Sequence, residues 1–149
     1  MQEQEVITAD LEPLLGKDGI EVLELGMSRR RGEVQVHVVI HSAKGTGTTE
    51  CAKTHRLIGQ RLLELFGIEE AFIEVSSPGI DRLFRSRREY SIFAGSRIRF
   101  LREGESEWTR GRLLGIEGED VSIETGGGRI AIPLSAISKA RLDSTPEGD

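Results

Sequence analysis

Apolar residues fall at helical spacing near the start of the chain. Val6, Ile7, Leu11, Leu14 and Leu15 mark one side of a helix from about Glu3 to Gly16. Pro13 lies inside it and, lacking an N–H, predicts a kink or a new first turn there. An extended stretch from Ile20 to Met27 follows, then a turn through Arg29, Arg30, Arg31 and Gly32. Val34, Val36, Val38 and Ile40 alternate strictly with Gln35, His37, Val39 and His41. That is the period of a half-buried strand, so residues 20–41 read as a β-hairpin. After a small polar loop, Thr48 predicts the cap of a second helix, with Glu50 in its first turn favoured by the helix dipole. Cys51, His55, Ile58, Leu62 and Leu65 predict that helix's apolar face. Gly67 ends it, and Ala71 to Val75 form a short strand broken by Ser76, Ser77, Pro78 and Gly79. The first part is thus α-β-β-α-β, a sheet with two helices covering one face.

The pattern then changes. Ser86 to Phe93 predicts a short helix with a serine cap and Gly95 beyond its end. From Arg97 onward, short strands alternate with glycine or acidic turns: 97–102, 107–116, 121–124, 129–133 and a last piece near 138–142. Five short strands in so few residues predict a small barrel, which removes exposed edges by closure. The fold class is α+β, with an N-terminal domain over 1–82, a connector with a short helix over 83–96, a barrel over 97–142 and a disordered polar tail over 143–149. Domains this small bury only about 60% of their unfolded surface, so each is expected to be marginally stable. No internal repeat is visible.

Charge sharpens this division. The chain of 149 residues carries a net charge of −5, unevenly placed. Residues 1–80 hold eight basic and thirteen acidic side chains, a net of −5, and the remainder is balanced. Within 81–102 seven arginines face only Asp81 and Glu89, a net of +5. Arginine pairs bidentately with phosphate or carboxylate, so a basic centre between acidic ends points to a polyanionic or mixed partner. A solvated charged face is the plainer alternative. No apolar run approaches the roughly 20 residues of a membrane span. The acidic start of the chain lacks the pattern of a signal peptide. The one cysteine, Cys51, cannot form an internal disulfide, and a reducing cytoplasm is the expected setting.

Catalytic chemistry finds little support. His37 and His41 share a strand face but lie roughly 13 Å apart, too far to share a metal ion. His55 and Cys51 fall on the apolar side of the second helix, where a packed imidazole and an inert thiol are the ordinary reading. Gly126, Gly127 and Gly128 precede no helix and no Lys-Ser/Thr, so they make a hairpin turn rather than a phosphate loop. Ser76 and Ser77 have no histidine nearby in sequence. Neither an enzyme, a cofactor nor a metal is expected. Trp108 opens a barrel strand, where core packing outweighs base stacking; aromatics are 5% of the chain and are not interleaved with the arginines, which weighs against stacking on single-stranded RNA.

The stretch Val75-Ser76-Ser77-Pro78-Gly79-Ile80-Asp81-Arg82 is the most specific. It resembles the signature of the ribosome maturation factor RimP family, in which a strand runs into V-S-S-P-G-[IL]-D-R-P; Leu83 stands where that family has proline. Leu11-Glu12-Pro13-Leu14-Leu15 is similar to the family's first helix, including its proline, and Thr49-Glu50-Cys51-Ala52 to the start of its second. His41-Ser42 replaces the family's usual acidic residue. Gly111 to Ile116, Ile130 to Leu134 and Ile137 to Leu142 look like its Sm-like, SH3-type barrel. The resemblance implies binding to the immature small ribosomal subunit without catalysis, in bacterial cytoplasm, as a monomer. It also implies a basic small-subunit ribosomal protein, number twelve, as partner, with rRNA nearby. The acidic first domain suits that partner, the two domains holding it while rRNA folds. Ser76, Ser77, Pro78, Gly79, Asp81 and Arg82 are expected at the domain junction. Arg85, Arg87, Arg88, Arg97, Arg99, Arg110 and Arg112 are the candidate ribosome contacts. Two other readings stand beside this one. The first is an Sm-like RNA chaperone that forms a ring through its barrel edges. The second is a hydrolase using Ser76 or Ser77 with a distant histidine.

Overall fold

The computed structural model describes residues 2–43 and 45–143. The chain divides into two compact units, Met1–Pro78 and Gly79–Asp149. The first contains α1 (Glu3–Gly16), β1 (Ile20–Arg30), β2 (Glu33–Ser42), α2 (Thr48–Phe66) and β3 (Phe72–Ser76). The sheet order is β1-β2-β3. β1 and β2 run antiparallel, and β2 and β3 run parallel with α2 as the crossover. The hairpin turn is tighter than its sequence suggests. β1 continues to Arg30, which pairs with Glu33, so only Arg31 and Gly32 make the turn. Both have positive φ, 51° and 82°, the geometry that matches the twist of the strands.

Alternation along β2 buries Val34, Val36, Val38 and Ile40 against Ile7, Leu11 and Leu15 of α1 and Ile58 and Leu62 of α2. The first helix runs on through Pro13, whose missing N–H falls in its last turn. Arg61 of α2 forks onto Asp10 of α1 at 2.7 and 3.0 Å, tying the helices side by side, and also reaches Glu64. The start of α1 is fastened to β1 by Gln4, which accepts from the Met27 N–H, and by a bidentate Arg29–Glu3 pair.

Two details of α2 differ from the expectation. Gly47, not Thr48, is its N-cap, and Glu50 reaches back to accept the Gly47 N–H at 2.8 Å. Its buried positions are Thr54, Ile58 and Leu62, while His55 is exposed and so is Leu65. Thr54 lies one turn before Ile58, and its hydroxyl donates to the Glu50 carbonyl, so a polar residue enters the core satisfied.

The second unit contains α3 (Arg87–Ile92) and five strands, β4 (Arg97–Arg102), β5 (Thr109–Glu117), β6 (Asp120–Thr125), β7 (Gly128–Pro133) and β8 (Ile137–Leu142). The sheet order is β7-β6-β5-β4-β8, antiparallel throughout, with a 3₁₀ turn over Leu134–Ala136 between the two end strands. Ladder closure between β7 and β8, expected from the strand count, is not found among the described residues. β8 instead hydrogen-bonds the segment leading into α3: the Phe84 N–H donates to Ala140, and the Leu142 N–H to Arg82. That segment supplies the edge cover that closure would have given.

Residues 83–96, read from sequence as a connector, therefore lie inside the second unit. The reason is apolar: Phe84 stacks on Phe93 at 5.2 Å and meets Tyr90 edge-on at 5.0 Å, and Phe93 is fully buried. Arg82 and Glu89 are buried with them, 8% and 2% exposed. Arg82 Nε and Nη2 donate to the two Glu89 oxygens at 2.7 and 3.3 Å, and the Arg85 N–H adds a third bond at 3.2 Å. Burial, reinforced by Glu89, pushes the Tyr90 hydroxyl up to about 12. Asp143, assigned from sequence to the tail, is buried, and its N–H donates to Arg97. The rest of the expected tail, 144–149, lies outside the described residues.

Two outcomes follow. Removing one partner of the Arg82–Glu89 pair leaves a buried charge uncompensated, so Glu89→Gln or Arg82→Met alone should destabilise the second unit by about 3–5 kcal/mol in urea unfolding. The double change to apolar residues should cost less than the two single changes added. A loss below about 1 kcal/mol for either single variant contradicts this. In the first unit, partial burial lowers the His41 pKa below 6.5, opposed by Glu21, its ladder partner. A depressed histidine pKa stabilises the fold above the unfolded value and loses that stability as pH falls. Thermal melts from pH 7.5 to 5.5 should therefore show a steeper decline for the wild type than for His41→Gln; parallel curves would refute it.

Candidate nucleic-acid interface

Ile98 and Phe100 of β4, Leu113 of β5 and Ala140 of β8 are buried. Side chains alternate across a strand, so their neighbours Arg97, Arg99, Arg110, Arg112, Lys139 and Arg141 stand on the other face. The ladder register places these cations opposite one another. Arg97 pairs with Arg112, Arg99 with Arg110, and Arg99 again with Arg141. Like charges directly opposed destabilise a sheet, so this arrangement is adverse to folding taken alone.

Counter-charge is present but sparse. Asp143 lies beneath the face with its side chain 1% exposed. Arg110 Nε is 3.2 Å from one of its oxygens, and Arg99 Nε is 3.9 Å from the other. Arg112 donates to the Gly95 carbonyl at 2.7 Å and lies opposite Glu124 in the ladder. A cleft of about 240 Å³ opens between Arg97, Arg110, Arg112, Glu124 and Asp143. Polar and shallow, it suits an anion better than an apolar ligand.

Gly111 holds the two arginines of β5 in place. A Cβ there would lie 2.7 Å from Ile123 Cγ2 and 2.8 Å from the Glu124 carbonyl oxygen, closer than real Cβ atoms come. Only glycine lets β6 approach this closely.

Of the seven arginines singled out from sequence, the fold thus collects Arg97, Arg99, Arg110 and Arg112 on one face. Arg85, Arg87 and Arg88 lie before or within α3 and are exposed. Arg87 donates to the Gly118 carbonyl in the β5–β6 turn and lies 3.6 Å from Glu119. Sequence reasoning missed Arg141, Lys139 and Asp143; strand alternation around Ala140 was the available signal for the first two. Trp108, weighed mainly as core, is 36% exposed, with the Arg141 guanidinium 5.1 Å from its ring centroid.

The junction residues separate by unit. Ser76 ends β3 opposite Val39, and Ser76 and Ser77 are exposed. Gly79 accepts from the Arg82 N–H in a turn that leaves Asp81 exposed and Ile80 75% exposed. Two of the first unit's three histidines have carboxylate neighbours, His37 bonding Glu74 at 2.8 Å and His41 pairing with Glu21. No group of three or more potential metal ligands occurs among the described residues, and no helix there is long and apolar enough to cross a membrane.

Fold and face together define a chain of two small α+β units, the second bearing a cationic sheet surface. Residues 10–81 match the family model described as the RimP N-terminal domain. Ribosome maturation factor RimP of Borrelia hermsii is 29% identical over 126 residues, covering 83% of this chain and 85% of that one. Both matches are to the ribosome maturation factor RimP family, to which this chain is similar over most of its length. A solved structure from work on the zinc transporter CzrB is also similar, at 21% identity over 53% of this chain and 99% of that one, with a TM-score of 0.40. A likeness that low carries no argument.

Gly111→Ala should lower the stability of the second unit by about 1–3 kcal/mol, since the clashing carbonyl belongs to backbone. Denaturant titration measures this. An unchanged midpoint would mean that β5 and β6 are not held as closely as described.

Proposed function

We propose that this chain binds the immature small ribosomal subunit and assists its assembly as a non-catalytic factor in bacterial cytoplasm. Similarity to the RimP N-terminal domain model and to a ribosome maturation factor RimP supports the ribosomal setting. The observation that carries the mode of binding is the opposed arginine rows of β4, β5 and β8, set against the buried carboxylate of Asp143. A face so charged at the expense of its own stability is best accounted for by an anionic partner that neutralises it. The phosphate backbone of rRNA fits, because contacts to phosphate need no base readout. Arg97, Arg99, Arg110 and Arg112 are the proposed contacts. Arg85, Arg87 and Arg88 are proposed as secondary, Arg87 being already committed to Gly118 and Glu119.

The first unit's share is a basic small-subunit ribosomal protein, number twelve by family resemblance. Its support is the net charge of −5 over residues 1–80. Ser76, Ser77, Pro78, Gly79, Asp81 and Arg82 are proposed to fix the passage between units rather than to touch a partner. The second unit's fold is proposed as the Sm-like, SH3-type small barrel, since its strand order and the 3₁₀ turn between its end strands fit that topology. A ring of such barrels would need free edges. The bonds from Phe84 to Ala140 and from Leu142 to Arg82 occupy one edge of β8, which favours a monomer.

The test is cosedimentation with immature small subunits across a series of salt concentrations. Arg97→Gln with Arg112→Gln should weaken binding and reduce the salt slope by about 0.7–0.9 for each phosphate no longer neutralised. Unchanged affinity and slope would take this face out of the interface.

A further inference from the structure

The sequence separates its tryptophan from its arginines, but the sheet reunites them. Trp108 immediately precedes β5, and the strand that supplies its neighbour is β8, more than thirty residues later. The Arg141 guanidinium lies over the exposed indole, and Arg141 is the ladder partner of Arg99. Next to them two donors go unused. The Nε atoms of Arg99 and Arg141 are both buried, and neither has a hydrogen-bond acceptor. The Asp143 oxygen nearest Arg99 Nε is 3.9 Å away, too far for a hydrogen bond. Buried donors without acceptors are rare and costly, and these two lie on paired residues of one face.

We propose that this corner of the sheet is a subsite for an unpaired nucleotide of RNA. A phosphate oxygen accepts from Arg99 and Arg141 while a base stacks on Trp108. The inference rests on the phosphate-binding reading above and deepens it by naming single-stranded rather than duplex RNA. The distinction is steric. An exposed indole can stack only on a base whose face is free, and duplex bases are stacked on one another. Guanidinium and indole already in contact form one continuous platform, so the base meets a surface prepared on the protein side.

The experiment uses the full chain, with an oligouridine strand and a blunt RNA duplex of equal length as probes. Trp108 is the only tryptophan, so its fluorescence reports on this corner alone. Oligouridine should quench it. Trp108→Leu should weaken oligouridine binding about tenfold, as the loss of one stacked base predicts. Trp108→Phe should keep most of the affinity, which also controls for folding. Arg141→Gln should weaken oligouridine more than duplex. Wild-type affinity for oligouridine in Trp108→Leu, or equal quenching by the duplex, overturns this subsite while leaving the arginine face intact. If the wild type binds neither RNA nor small subunits, this inference falls together with the proposed function.

Discussion

The register between β4 and β5 is the constraint on which the second unit depends. Ile98 and Phe100 have to face the core, and a slip of one residue would turn Arg97 and Arg99 into it. Burying an unpaired guanidinium costs far more than any local gain in pairing, so the register is held strongly. The same requirement forces Arg110 and Arg112 opposite them. The cationic face is thus a direct consequence of core packing on the reverse side. Asp143 lessens the repulsion from below, but one carboxylate cannot balance both arginine rows.

A second ion pair does different work. Arg82 and Glu89 are buried together, with three hydrogen bonds onto Glu89. Desolvating two charges is unfavourable, and apolar substitutes are often as stable; such a pair contributes mainly a unique geometry. Here that geometry sets residues 82–84 against β8 and seats α3 through Phe84, Tyr90 and Phe93. The matched part of the signature therefore ends on Arg82, a residue with a structural task inside the second unit.

Much of this was legible in the chain itself. The alternation of Val34, Val36, Val38 and Ile40 announced β2, and glycine and acidic turns delimited the five later strands within a few residues. Errors arose where a polar residue was satisfied locally or an apolar one was left out. Thr54 entered the core because its hydroxyl found the Glu50 carbonyl, and the helix face turned away from His55 and Leu65. Phe84 and Phe93 read as connector residues in the sequence because their partners are one another and Tyr90, which no local periodicity marks. Asp143 looked like the start of a polar tail because the arginines that hold it come from β4 and β5, far back in the sequence.

The sequence by itself determined the periodicities, hence the elements, their order and the strand alternation that separates the arginines of the sheet from its apolar positions. It also carried the motif that resembles the RimP signature. The fold alone decided which of those arginines meet, that Trp108 lies under Arg141 rather than in the core, and that residues 82–84 guard β8 in place of closure. The reason is physical. Alternation is a property of neighbours along the backbone, whereas register is set by how side chains distant in sequence pack on the reverse side of the sheet.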